Sequence, residues 1–128
     1  MTIIYHNQIP PKRGYYSKIL NRKVVSNDVG AKTCEVWDQT IPPGGYIVPH
    51  YHDFEETLTF LNGSSGLQIT IDHEVHQIET EATVFIPPGC VHSVQNQSSD
   101  PVRLLAFLVS EKPKVIYIDE NPLPVEWE

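Results

Sequence analysis

Hydrophobic and polar residues alternate along this chain with a period of two, in short runs broken every few residues by Gly, Pro, Asn or Asp. That spacing predicts strands, because successive side chains on an extended backbone point to opposite faces. Ala31 to Thr40 places Cys34, Val36 and Asp38 on one face and Glu35, Trp37 and Gln39 on the other. Tyr46 to His52, Glu55 to Leu61, Leu67 to Ile71, Val75 to Ile78, Thr83 to Ile86, Val91 to Val94 and Val115 to Ile118 read the same way. Gly14 to Leu20 and Lys23 to Ser26 read as two strand pieces split at Asn21-Arg22. Val102 to Val109 is apolar at both parities, which predicts a strand covered on both faces. Pro49 removes a ladder donor inside its run and predicts an edge or bulge there. Asp72-His73-Glu74 predicts a hairpin reversal. No segment carries a sustained helical period with caps. Roughly ten short strands with turn signals between them predict an all-β sandwich or barrel.

The 128 residues suit one domain, 1–128, with an extended arm over about 1–13 and an acidic tail over about 119–128. Apolar Leu123, Val125 and Trp127 punctuate that tail. The formal net charge of -7 argues against nucleic acid and anionic membranes, which need clustered Lys and Arg. No apolar run approaches a membrane span, and the first residues lack the order of a signal peptide, so a cytoplasmic location is expected. Cys34 and Cys90 are then expected as free thiols, both most simply packing residues.

The chemistry concentrates in GGYIVPHYHDFEETLTFLNG, residues 44–63, and in PPGCVHSVQN, residues 87–96. His50 and His52 are two apart, and on a regular continuation Glu56 shares their face. Two imidazoles and a carboxylate facing one point can hold a first-row divalent metal, and His92 supplies a further imidazole from the second block. Tyr46, Phe60, Gln68 and Phe107 are candidate pocket-lining residues. His73 and His76 lie at a hairpin and His6 in the arm, where solvent is the expected neighbour. Asn96 is expected to secure a turn or strand end.

The two blocks resemble the paired motifs of cupins. The first motif, G-x5-HxH-x3,4-E-x6-G, is matched by Gly44, His50, His52, Glu56 and Gly63; the second, G-x5-PxG-xx-H-xxx-N, by Pro87, Gly89, His92 and Asn96, with Glu81 where the motif opens on glycine. The resemblance implies a double-stranded β-helix, or jelly-roll barrel. It implies one divalent transition metal (Fe, Mn, Ni, Zn or Cu) on His50, His52, Glu56 and His92, and a homodimer. It does not choose a reaction. Three neutral imidazoles and a carboxylate leave positions open on an octahedral ion, as catalysis requires. A metal-dependent enzyme acting on a small oxygen-rich molecule is therefore expected, dioxygenase-like or an isomerase or lyase. A metal-bearing small-ligand binder without turnover, and a metal that only staples the barrel, stand as alternatives. No general base stands out beyond the ligands.

Overall fold

The computed structural model describes residues 1–124. Eleven strands follow in chain order: β1 (Lys12–Arg13), β2 (Leu20–Val25), β3 (Glu35–Ile41), β4 (Tyr46–Tyr51), β5 (Glu56–Phe60), β6 (Leu67–Ile71), β7 (Glu74–Gln77), β8 (Ala82–Ile86), β9 (His92–Asn96), β10 (Val102–Leu108) and β11 (Ile116–Tyr117). They form two antiparallel sheets, ordered β1-β2-β3-β10-β5-β8 and β11-β4-β9-β6-β7. The only helical pieces among the described residues are short 3-10 turns at His6–Gln8 and Asn27–Val29. The architecture is a jelly roll: β1, β2 and β3 share one sheet, and from β3 to β11 the chain crosses between the sheets at every step except the β6-β7 hairpin. Ile41, Phe60, Leu67, Ile69, Val102 and Leu104 are fully buried between them.

Local chemistry explains several boundaries. β2 runs through Asn21-Arg22 instead of breaking there, because β3 supplies partners at Gln39 and Asp38. β3 starts later than the alternation predicts. The Ser26 hydroxyl accepts the Asp28 amide at 3.3 Å, and Gly30 takes φ +94, so the preceding segment is spent on a capped turn. β6 and β7 join through Asp72 and His73, both at positive φ, which matches the right-handed twist of a tight hairpin. Gly63 lets two loops touch: a Cβ there would lie 2.5 Å from the Glu79 carbonyl carbon and 2.6 Å from Ile78 O.

Two expectations change. β10 is buried on one face only; Val102, Leu104, Ala106 and Leu108 face the core, while Arg103 and Phe107 look outward. Its outer face is polar where it matters, since Arg103 donates to both carboxylate oxygens of Asp38 at 2.9 and 2.7 Å. The arm is also more than a free extension. The ring of His6 lies 2.7 Å from Asp38 Oδ2, Arg22 Nε donates to Ile9 O at 2.8 Å, and β1 adds to the edge of β2. His6 is therefore half-buried against an ion pair rather than solvated.

Of the apolar residues noted in the tail, Leu123 is exposed, and Val125 and Trp127 lie outside the described residues. No helix among those described is long and apolar enough to cross a membrane.

Candidate metal centre and cavity

Four side chains from two sheets meet at one point. His50, next to last in β4, stands directly across from His92 at the start of β9, with ring centroids 4.1 Å apart. His52 follows β4, where its carbonyl accepts the Gly89 amide at 2.7 Å and so ties it to the Pro87-Pro88-Gly89 turn. Gly89 sits at φ +79, a conformation that favours glycine. Glu56 opens β5 in the opposite sheet. Since β4 ends at Tyr51 and β5 begins at Glu56, the chain turns between the second histidine and the carboxylate. Convergence thus comes from the bend, not from one continuous strand face.

Hydrogen bonds settle the tautomers. His50 Nδ1 lies 2.8 Å from Val48 O, His52 Nδ1 2.6 Å from Lys114 O, and His92 Nδ1 2.9 Å from Cys90 O. A carbonyl only accepts, so each Nδ1 carries a proton and donates it. In its neutral form each ring then presents the bare lone pair of Nε2 to the centre. Burial holds the His50 pKa down at about 3, with the nearby His92 and His52 adding like-charge repulsion against a weaker opposing bond to Val48 O. His50 is neutral at any physiological pH.

His52 Nε2, His92 Nε2 and Glu56 Oε1 are all buried without a hydrogen-bond partner among the described residues. Yet His92 Nε2 lies 3.0 Å and His52 Nε2 3.6 Å from Glu56 Oε1. These short approaches are ion pairs only if the imidazoles carry a second proton. With both rings neutral, two lone pairs and a carboxylate face one another across a dry gap, which repels unless a cation, metal ion or proton, is shared. The four candidate donor atoms lie within 4.8 Å of one another. This donor set fits a divalent transition metal, with outer nitrogens anchored to carbonyls as metal-ligating histidines require.

A cavity of about 270 Å³ opens beside the four residues. Its walls include Trp37, Ile47, Leu58 and Val94, and its rim includes Tyr15 from the segment after β1 and Tyr117 from β11. Trp37 is held in place by Nε1 donating to Glu35 Oε1 at 2.8 Å, with Lys23 Nζ over the ring at 5.5 Å. Burial, reinforced by the nearby Tyr16, pushes the Tyr117 phenol pKa up, so it keeps its proton.

None of the four residues singled out as pocket candidates borders this cavity. A register shift between Ile47 and His50 turns the β4 face over at Pro49, so Ile47 joins His50 inside while Tyr46 borders a separate groove with Val48 and Pro49. Phe60 shares the inward face of Glu56 and Leu58 but is sealed in the core. Gln68 alternates outward between buried Leu67 and Ile69, and Phe107 stands on the outer face between Ala106 and Leu108. His73 and His76 lie away from the centre and are exposed.

Asn96 works as a strap. Its Nδ2 donates to Ile41 O, Pro42 O and Asp100 O, and its Oδ1 accepts from the Ser98 amide and hydroxyl. Glu81, where the motif opens on glycine, is not at positive φ, so its side chain fits there without backbone strain.

Sequence comparison agrees with the geometry. The family model described as "Cupin domain" matches residues 37–108, a segment that contains all four converging residues. The chain belongs to the cupin family. It is 31% identical over 110 residues to Germin-like protein 5-1 of Oryza sativa subsp. japonica, covering 78% of this chain and 46% of that protein. It is 24% identical over 100 residues to the tetracenomycin polyketide synthase protein TcmJ of Streptomyces glaucescens, covering 77% of this chain and 66% of that one. It thus spans about half to two-thirds of the length of these curated relatives. The crystal structure of the polyketide cyclase RemF from Streptomyces resistomycificus superposes with a TM-score of 0.81 at 19% identity, covering 95% of this chain and 89% of RemF. That likeness establishes the jelly-roll fold.

Proposed function

We propose that this cupin binds one divalent transition metal through His50, His52, Glu56 and His92, and uses it to reorganise bonds in a small oxygen-rich molecule. The observation that carries the reading is the orphaned donor set: buried Nε2 and carboxylate atoms aimed at one point, with every Nδ1 tied to a carbonyl. When bound, the ion supplies a Lewis-acid centre for a ligand's adjacent oxygens. The chain's residues do the rest. The carbonyl anchors orient the imidazoles with Nε2 toward the centre, Trp37, Leu58 and Val94 exclude water, and Tyr117 keeps a protonated hydroxyl at the cavity's edge.

Within the expected enzyme classes we favour the isomerase or lyase branch, in ring-closing or enolising form, over dioxygenase chemistry. Its support is the likeness to TcmJ and RemF, both described in terms of polyketide synthesis or cyclisation. A homodimer belongs to the same proposal; Phe85 and Phe107, both exposed, flank Thr57 across neighbouring strands and offer an apolar outer strip. So does a cytoplasmic location, for which two free cysteines are the support.

The test is deuterium exchange at the carbon between the carbonyls of a simple β-diketone, followed by NMR. Exchange above the buffer rate in zinc- or manganese-loaded protein, lost on chelation and in His92→Ala, is expected. Equal exchange in His92→Ala would refute metal-assisted enolisation. No exchange with any of the candidate metals would favour the ligand-binding alternative.

A further inference from the structure

In the sheet that carries Glu56, the cavity wall also bears polar groups with no part in holding an ion. Lys12 on β1 stands directly across from Asn21 on β2, and Asn21 directly across from Gln39 on β3. Residues opposite one another in neighbouring strands share a face, so the three form a continuous row. All three border the cavity. Asn21 Oδ1 is buried and has no hydrogen-bond partner among the described residues, and Gln39 is only 6% exposed. Lys12 sits at the solvent edge of the row. Ile19, Ile47, Leu58 and Val94 make much of the remaining wall apolar.

We propose that Lys12, Asn21 and Gln39 form a second recognition point in this cavity, reading a hydroxyl group on the end of the ligand remote from the metal ligands. The inference deepens the metal-enzyme reading and rests on it. The chemistry of the row selects the group. Asn21 Oδ1 only accepts, so it needs a donor; the Lys12 ammonium only donates, so it needs an acceptor; the Gln39 amide does either. A hydroxyl supplies donor and acceptor from one atom. A carboxylate leaves Asn21 unsatisfied, and a bare hydrocarbon leaves all three desolvated for nothing. Such a row prefers the hydroxyl-bearing ligand, because the analogue lacking it leaves buried polar groups unpaired.

The fold also sets a length. Gln39 on β3 stands level with Phe60 on β5 through Leu104 of β10, so Glu56 lies two strand intervals across and four residues along from it, roughly 16 Å between backbone positions at about 4.8 Å per interval and about 3.3 Å per residue. The side chains at the two ends take up roughly 5 Å each, and two fused rings span what is left. The substrate class is therefore a flat, fused-ring or similarly rigid molecule, with adjacent oxygens at one end and a hydroxyl at the other.

The test uses two probes: a naphthalenediol with adjacent hydroxyls, and the triol bearing a third hydroxyl on the far ring. Affinities for zinc-loaded protein are measured by calorimetry without oxygen, alongside zinc content. Wild type should hold the triol about tenfold tighter than the diol. In Asn21→Leu the two should bind within about twofold, the triol more weakly and the diol no more weakly than in wild type, with zinc content unchanged; Gln39→Leu should narrow the gap in the same way. A wild type that takes up zinc yet binds the two equally, or binds neither, overturns the row and leaves the metal centre standing. So does a preference that survives in both variants. A wild type that takes up no zinc overturns both.

Discussion

Replacing Asn96 by alanine should be among the most damaging single changes outside the core and the metal ligands. Its side chain is 1% exposed and bonds three carbonyls and both polar groups of Ser98. Three of those bonds are short: Ile41 O at 3.0 Å, Asp100 O at 2.8 Å and Ser98 Oγ at 2.6 Å. At about 1 kcal/mol net for each short bond, the loss is about 3 kcal/mol. Unfolding entropy near 2.1 cal/mol/K per residue over 128 residues converts this to a melting point lower by about 11 °C. Asn96→Asp makes the sharper comparison. It keeps the shape and the acceptor for Ser98 but replaces the amide donor with an oxygen facing three carbonyl oxygens. At pH 7 it should lose more than Asn96→Ala does. Urea denaturation and calorimetry of the three proteins decide the matter. An aspartate variant more stable than the alanine one, or an alanine loss under 1 kcal/mol, would refute the strap.

Other outcomes follow from named contacts. Desolvation works to raise the Asp38 pKa, but the hydrogen bonds and charges of Arg103 and His6 outweigh it and leave it lowered. A depressed carboxylate stabilises the fold above its unfolded pKa of about 3.9 and ceases to do so as pH falls through the folded value. The stability gap between wild type and Asp38→Asn, from urea titrations across pH, should therefore be full at pH 6 and close below pH 4; a gap unchanged at low pH would contradict this. Gly63→Ala should cost about 2 kcal/mol or more, because the new Cβ meets backbone of residues 78–80. Gly44→Ala, at φ +74 in open space, should cost about 1 kcal/mol, and the reverse order would be wrong. Phe60→Ala, which empties a fully buried site, should cost about 3 to 5 kcal/mol by the same titrations.

Much of the fold was legible because local alternation and turn residues report strands directly. Alternation in 31–40 correctly put Trp37 and Gln39 on one face and Asp38 on the other, and Pro49 announced its irregularity. What local pattern does not carry is the consequence of that irregularity. The shift at Pro49 reverses parity upstream, which removed Tyr46 from the cavity and brought in Ile47. Phe60 and Phe107 show the other limit. Alternation says which face a side chain takes, not whether that face meets a cavity, a packed core or solvent. The arm's docking on Asp38 and Arg103 spans 32 and 97 residues, beyond the reach of any local signal. The converging residues were legible from motif spacing, although a bend rather than a strand face unites them. Asn21 and Gln39 become neighbours only through strand pairing.

The central claim is that the orphaned donors hold a metal. Protein purified without chelator or metal-affinity resin should be assayed by mass spectrometry for transition metals, beside a His50→Ala/His92→Ala double variant whose folding is checked by circular dichroism. One ion per chain in the wild type, absent from a folded double variant, is the expected result. No metal in either protein, and none taken up on titration, would contradict it.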